Sequence, residues 1–300
     1  MLLILLANQM FILQLIMVKD KVLIFIPVGD NCEALSWIES LLNIESCEIN
    51  YLLVYYGEDE KFHKRFKNSK IKIIYDQGPS KFEKFLKYVN SGDIMIQNHE
   101  LFWIVDDDVR ISIESAIEFF NSFKRNNLEI AQPGCLGFAM GKQLVRRNLR
   151  YEMRFTNYVD GMAPIFSKNA LEICLQTFED CQSGRGIDHV WAALLGNPKD
   201  KIAVIDSALM IHMNPSGSNY TRFERTIDEQ YRKIQNRYLL QVIEHYEFEK
   251  RIIHNSIPSH QNKLIGLFNP LFNRLIEIQN IGVLKLGRYK VLKIKKCFLG

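Results

Sequence analysis

Along the first half of the chain, short continuous apolar runs alternate with stretches of helical spacing. VLIFIPV (22–28) ends in Gly29-Asp30-Asn31, and CEALSWIESLLN then places its apolar residues at helical intervals. INYLLVYY (49–56) ends in GED, and KIKIIY (70–75) ends in DQG ahead of the helical pattern PSKFEKFLKYV. LFWIV (101–105) ends in DDD ahead of ISIESAIEFFNSF, and LEIAQPG (128–134) adds a further short strand. Unbroken apolar runs of this length suit strands buried on both faces. Their alternation with amphipathic segments predicts βαβ units, hence an α/β fold: a mostly parallel, doubly wound sheet with flanking helices.

The second half has a different texture. Residues 151–178 read as a strand, a turn at Asp160-Gly161, and a second strand that passes into a helix through Ser167. SGRGIDHVWAALLG (183–196) has a glycine-rich entry and a short helix, and KIAVIDSALMIHM (201–213) is another apolar strand. In the charged stretch 220–250, Ile227, Tyr231, Ile234, Tyr238 and Val242 fall at helical spacing, which predicts a helix lying against the body. No linker rich in Pro, Gly or Ser interrupts the chain. The expected organisation is a core domain over 19–217 and a helical extension with a basic tail over 218–300. Residues 1–18 form an apolar prefix with 15 apolar positions. Three readings fit that prefix: a start placed upstream of the true one at Met17, a membrane anchor, or a packed helix. It is short for a spanning helix and lacks the features of a secretory signal.

Charge changes the picture only at one end. Residues 281–300 carry six Lys or Arg and no acid, so the rest of the chain is net −2 and the overall +4 belongs to the tail. Leu, Val, Ile and Phe interleave with those cations, which suits an anionic membrane surface better than nucleic acid. The six cysteines form no C-x-x-C pair and no zinc spacing, consistent with reduced thiols. The expected location is cytoplasmic, peripheral at the inner face of the membrane, with no nucleic-acid partner.

Acidic residues recur at strand ends: Asp30, Glu58-Asp59, Asp76, and Asp106 to Asp108. In open α/β sheets, ligands bind in the crevice beyond those ends. A single Asp there is accounted for by turn and cap chemistry, but a turn does not require three. Adjacent like charges beside a buried strand are costly unless a cation relieves them. Carboxylate oxygens suit Mn2+ or Mg2+. On extended backbone Asp106 and Asp108 share one side, while Asp107 points to the other.

A hydrophobic strand ending in D-x-D after three βα units resembles the metal and nucleotide-sugar motif of GT-A-fold glycosyltransferases. Ser167-Lys168-Asn169-Ala170-Leu171 is similar to the Ser-Arg or Ser-Lys segment that such enzymes place before a helix, and reads equally as an ordinary helix cap. By the same resemblance, Asp188 in GRGIDHVW takes the place of the general base facing the acceptor, with His189 as runner-up. His212 takes the place of a late histidine that completes the metal shell with Asp106 and Asp108. Donor contacts are expected at Pro27, Asp30, Asp76, Lys81 or Lys84, and Asp107, and the acceptor side at Asp160 and Gly161. The spacing GIDHVW…KIAVID…H also resembles an uncharacterised family of GT-A-like proteins from bacteria and plants, over approximately residues 22–217. Where members of that family read H-T-R-P, this chain has His212-Met213-Asn214-Pro215.

Other chemistries lose support. GFAMGKQ (137–143) lacks the Gly and Ser/Thr of a phosphate loop, no G-x-G-x-x-G follows the first strand, and no G-x-S-x-G elbow occurs. The resemblance implies a metal-dependent glycosyltransferase moving a sugar from a nucleotide-sugar donor to a glycan or lipid-linked acceptor. Two alternatives remain: a non-catalytic nucleotide-sugar or carbohydrate binder, and a metal-dependent phosphoryl or nucleotidyl transferase.

Overall fold

The computed structural model describes residues 19–78, 80–138, 144–179, 181, 184–214, 227–243, 253–259 and 269–281. The prefix 1–18, residues 139–143 and the basic tail beyond Ile281 lie outside the described residues.

Four strands build the expected first half: β1 (Asp20–Val28), β2 (Cys47–Tyr55), β3 (Ile71–Tyr75) and β4 (Leu101–Ile104). They pair parallel in the order β3-β2-β1-β4. The rest are β5 (Val109–Ile111), β6 (Ile130–Gly137), β7 (Tyr151–Thr156), β8 (Ile165–Ser167), β9 (Ile202–His212) and β10 (Ile253–Pro258). The sheet continues from β4 through β8, β6, β9 and β7 to β10, with β5 paired to β9. β8 is antiparallel to both β4 and β6, and β6 is parallel to β9. Strands β1 to β4, β6 and β9 therefore run in one direction. Their C-terminal ends line one edge of the sheet.

Both faces of that sheet are covered, which is why its strands read as unbroken apolar runs. On β1, Val22, Ile24, Ile26 and Val28 enter one core, while Leu23 and Phe25 enter the other. Helices α1 (Ile38–Leu41) and α3 (Ile113–Arg125) close the first face through Ile38, Leu41, Phe119, Phe120 and Phe123. Helix α2 (Lys81–Asn90) closes the second through Phe82, Phe85 and Tyr88, together with α4 (Lys168–Cys174) and α5 (Trp191–Leu194). Serines start three of these helices. Ser80, Ser112 and Ser167 accept from the N–H of Glu83, Ser115 and Ala170 at 3.2, 3.2 and 3.1 Å.

The C-terminal segment adds α6 (Ile227–Ile243), β10 and α7 (Asn269–Ile281). Helix α6 packs Ile234 and Tyr238 into the second core, as its periodicity predicts. Strand β10 extends the same sheet by pairing antiparallel with β7. Its sequence IHNSIP has no run of buried positions, because it is an edge strand.

Candidate active site

The site is built by one short strand pairing. The chain leaves β4 at Ile104, turns through Asp107 and Asp108, and immediately forms β5. β5 lies antiparallel to the end of β9, with Val109 opposite His212. Met213 N–H donates to the Asp108 carbonyl at 2.9 Å, and the Trp37 indole N–H donates to the Val109 carbonyl at 2.9 Å. This pairing draws the three aspartates from one strand end to the end of another.

Ligating atoms of Asp106, Asp108 and His212 then lie within 4.8 Å of one another. His212 Nε2 is 3.1 Å from Asp108 Oδ1. His212 is buried, and its Nδ1 has no hydrogen-bond partner among the described residues. The Asp106 side chain remains 36% exposed, so the cluster opens to solvent on one side. Withdrawal from water raises the Asp106 pKa; Lys81 opposes that and Asp108 adds to it. Burial alone would lower the His212 pKa, but the Asp108, Asp106 and Asp160 carboxylates outweigh it and raise the value. Two hard carboxylates that repel one another, with an imidazole close enough to share one ion, suit a divalent cation.

Asp107 faces away from this cluster. Its carboxylate accepts a short hydrogen bond from the Tyr56 hydroxyl, and its carbonyl accepts from Glu33 and Ala34 N–H at 2.8 and 3.2 Å. Burial pushes its carboxyl up to about 6, against the pull of Tyr56. A Cβ on Gly29 would stand 2.9 Å from the Tyr56 ring, so a larger residue there would displace the ring that holds Asp107.

The Lys81 side chain is 8% exposed rather than splayed on a helix surface. Its ammonium meets Asp106 Oδ1 at 2.6 Å and the carbonyls of Gly161 and Met162 at 2.7 and 3.0 Å. Those three acceptors use its three N–H donors, so it serves as a counter-ion and ties the Gly161 turn to α2. Lys84 is buried and donates to the Asp76 carbonyl at 2.9 Å. The Asp76 carboxylate accepts from Lys87 at 2.8 Å, Tyr88 at 2.6 Å and Gly78 N–H at 2.8 Å. Asp30 accepts from Tyr55 and from Glu58 N–H, the latter at 3.1 Å. Pro27 sits half-buried near the end of β1, opposite Val54.

Asp188 lies in a short turn before α5, preceded by Gly186 in a left-handed conformation (φ 96°). Tyr158 hydroxyl donates to Asp188 Oδ2 at 2.6 Å and approaches Asp160 Oδ2 at 3.4 Å. Asp160 also accepts from Met162 N–H at 3.2 Å. A line of polar groups thus runs from Asp188 through Tyr158 to Asp160, whose charge reaches His212. His189 packs edge-on against the Tyr158 ring, centroids 5.3 Å apart, with Nε2 3.8 Å from Asp188. Tyr56 and Tyr158 carry no functional signal in the sequence. A tyrosine beside an apolar strand reads as core until its hydroxyl partner is known.

A separate polar cleft of about 420 Å³, lined in part by Arg125, Arg147, Glu152 and Asp206, lies farther back along β9. Asp206 is six residues before His212, roughly 20 Å of extended chain away. Its carboxylate is held by Arg154 at 2.6 and 2.9 Å.

No family model and no curated protein matches the chain. The narrower likeness to the bacterial and plant family therefore stands on the quoted residues alone. Among solved structures, S. aureus TarS 1–349 is similar at a TM-score of 0.50 and 12% identity. That alignment covers 76% of this chain and 67% of TarS. The same TarS fragment in complex with UDP-GlcNAc aligns at a TM-score of 0.49 and 13% identity, over 76% and 68% of the two chains. The first likeness establishes a shared fold.

Proposed function

We propose that the chain is a divalent-metal-dependent glycosyltransferase that moves a sugar from a nucleotide-sugar donor to a glycan or lipid-linked acceptor. The observation that carries this reading is the convergence of Asp106, Asp108 and His212 at the C-terminal edge of the sheet. The fold shared with TarS supports it. Asp106, Asp108 and His212 would hold Mn2+ or Mg2+, which neutralises charge on a departing diphosphate. Lys81 orients Asp106, and Tyr56 orients Asp107 away from the cluster, toward the β1 end where Pro27 and Asp30 flank the nucleoside side. Asp76 after β3 and Lys84 on α2 support that side of the cleft.

Asp188 is the proposed base. It takes the proton from an acceptor hydroxyl while Tyr158 holds Oδ2 in place. Asp160, Gly161 and His189 form the acceptor side around it. Peripheral attachment to the cytoplasmic face of a membrane would bring a lipid-linked acceptor to this edge.

A thermal-shift panel of nucleotide sugars, UDP-GlcNAc among them, with and without Mn2+ tests the reading. One donor should raise the melting temperature in the presence of Mn2+, and Asp106→Ala should abolish that shift. A donor that binds equally without metal or in the variant argues for a metal-free binding protein. Binding without transfer to any hydroxyl acceptor argues for a non-catalytic binder. Release of phosphate or a nucleotidyl product argues for the phosphoryl or nucleotidyl transferase.

A further inference from the structure

Helix α7 presents its residues the wrong way round for a surface helix. Its polar residues Asn273 and Glu277 are buried. Asn273 donates to the Arg147 carbonyl at 2.9 Å, and Glu277 accepts from Gly137 N–H at 3.1 Å and pairs with Arg146 at 2.8 Å. Away from them, Leu271, Phe272 and Leu275 are 56, 42 and 53% exposed. Leu271 and Leu275 are one turn apart with Phe272 beside them, so the three form one apolar patch. Globular proteins place such a face inward, and a contiguous exposed one marks a contact surface.

We infer that α7 is a membrane-docking element that seats Leu271, Phe272 and Leu275 in the headgroup region of an anionic leaflet. The tail beyond α7 selects this occupant. Immediately after Ile281, the sequence carries Lys285, Arg288, Lys290, Lys293, Lys295 and Lys296 with no acid, interleaved with Leu, Val, Ile and Phe. Apolar insertion combined with cations is the chemistry of an interfacial anchor on acidic lipid. Beyond the tail's own charge, this assigns the apolar half of the anchor to a face the fold has turned outward. The inference is independent of the glycosyl-transfer reading.

Flotation of the full chain with vesicles provides the test, using phosphatidylcholine alone and phosphatidylcholine mixed equally with phosphatidylglycerol. The chain should bind the anionic vesicles, more weakly at high salt, and bind the neutral ones poorly. Leu271→Gln/Phe272→Gln/Leu275→Gln should lower the partition coefficient by about tenfold or more. Its circular dichroism and melting temperature should stay unchanged, because the three side chains are exposed. Lys293→Gln/Lys295→Gln/Lys296→Gln should weaken binding to anionic vesicles only. The inference is overturned if wild type binds neither vesicle or if the apolar triple variant binds like wild type. It is also overturned if that variant merely converts a dimer to a monomer.

Discussion

Tyr158 and Asp76 show two different uses of a hydroxyl–carboxylate pair. At Asp188, the Tyr158 hydroxyl fixes a carboxylate that faces the proposed acceptor side. Tyr158→Phe keeps the ring and removes that bond, so kcat should fall about 10–100-fold while Mn2+ affinity is unchanged. Steady-state kinetics beside a metal titration would read both. Asp188→Asn should remove turnover by at least about 100-fold and leave donor binding intact. Unchanged turnover would take Asp188 out of the mechanism. At Asp76 the bonds are structural. Burial alone would raise its pKa, but Lys87, Tyr88 and Gly78 N–H outweigh that and hold it at about 2, below the ordinary 3.8. A depressed carboxylate stabilises the fold above its ordinary pKa and loses that contribution as pH falls through the folded value. Wild type should therefore exceed Asp76→Asn in urea midpoint at neutral pH, with the two converging between pH 3.8 and about 2. Asp106 and Asp108 stand out in the sequence because a strand end and a D-x-D spacing are local signals, whereas His212 enters only through the GT-A resemblance. The tyrosine and lysine partners do not stand out, since Lys81 meets Asp106 across 25 positions of chain and nothing local marks the pairing.

Among the elements, β5 and β9 decide the site. β4, β6 and β9 announce themselves as apolar runs. β5 has three residues directly after the acids, too few for periodicity to show, and only its pairing with β9 reveals it. Extended backbone through the acids would put Asp106 and Asp108 on one side by simple alternation. The structure reaches that convergence through a turn instead. β9 is anchored along its length as well as at its end. Arg154 on β7 holds Asp206 on β9 with both groups almost wholly buried. Removing one partner leaves an uncompensated charge, so Arg154→Met should cost about 3–5 kcal/mol by urea denaturation. Arg154→Met/Asp206→Leu should recover most of that loss. A single variant costing nothing would show that the pair does not hold the two strands.

At the scale of the whole molecule, the α/β rhythm of the first half translated directly into a two-faced sheet, because each strand must be apolar on both sides. The second half was harder to read. β7, β8 and β10 pair antiparallel, and whether a strand lies parallel or antiparallel to its neighbour is a property of the neighbour. The consequence for function is that β4 and β9, distant in sequence, finish on the same edge and bring two aspartates to a histidine. That edge is the central claim, and a Mn2+ titration followed by electron paramagnetic resonance tests it most directly. Wild type should bind a single Mn2+ per chain at this site, and the Asp106→Ala/Asp108→Ala chain should lose it while keeping its melting temperature. Unchanged Mn2+ binding in that variant would contradict the account.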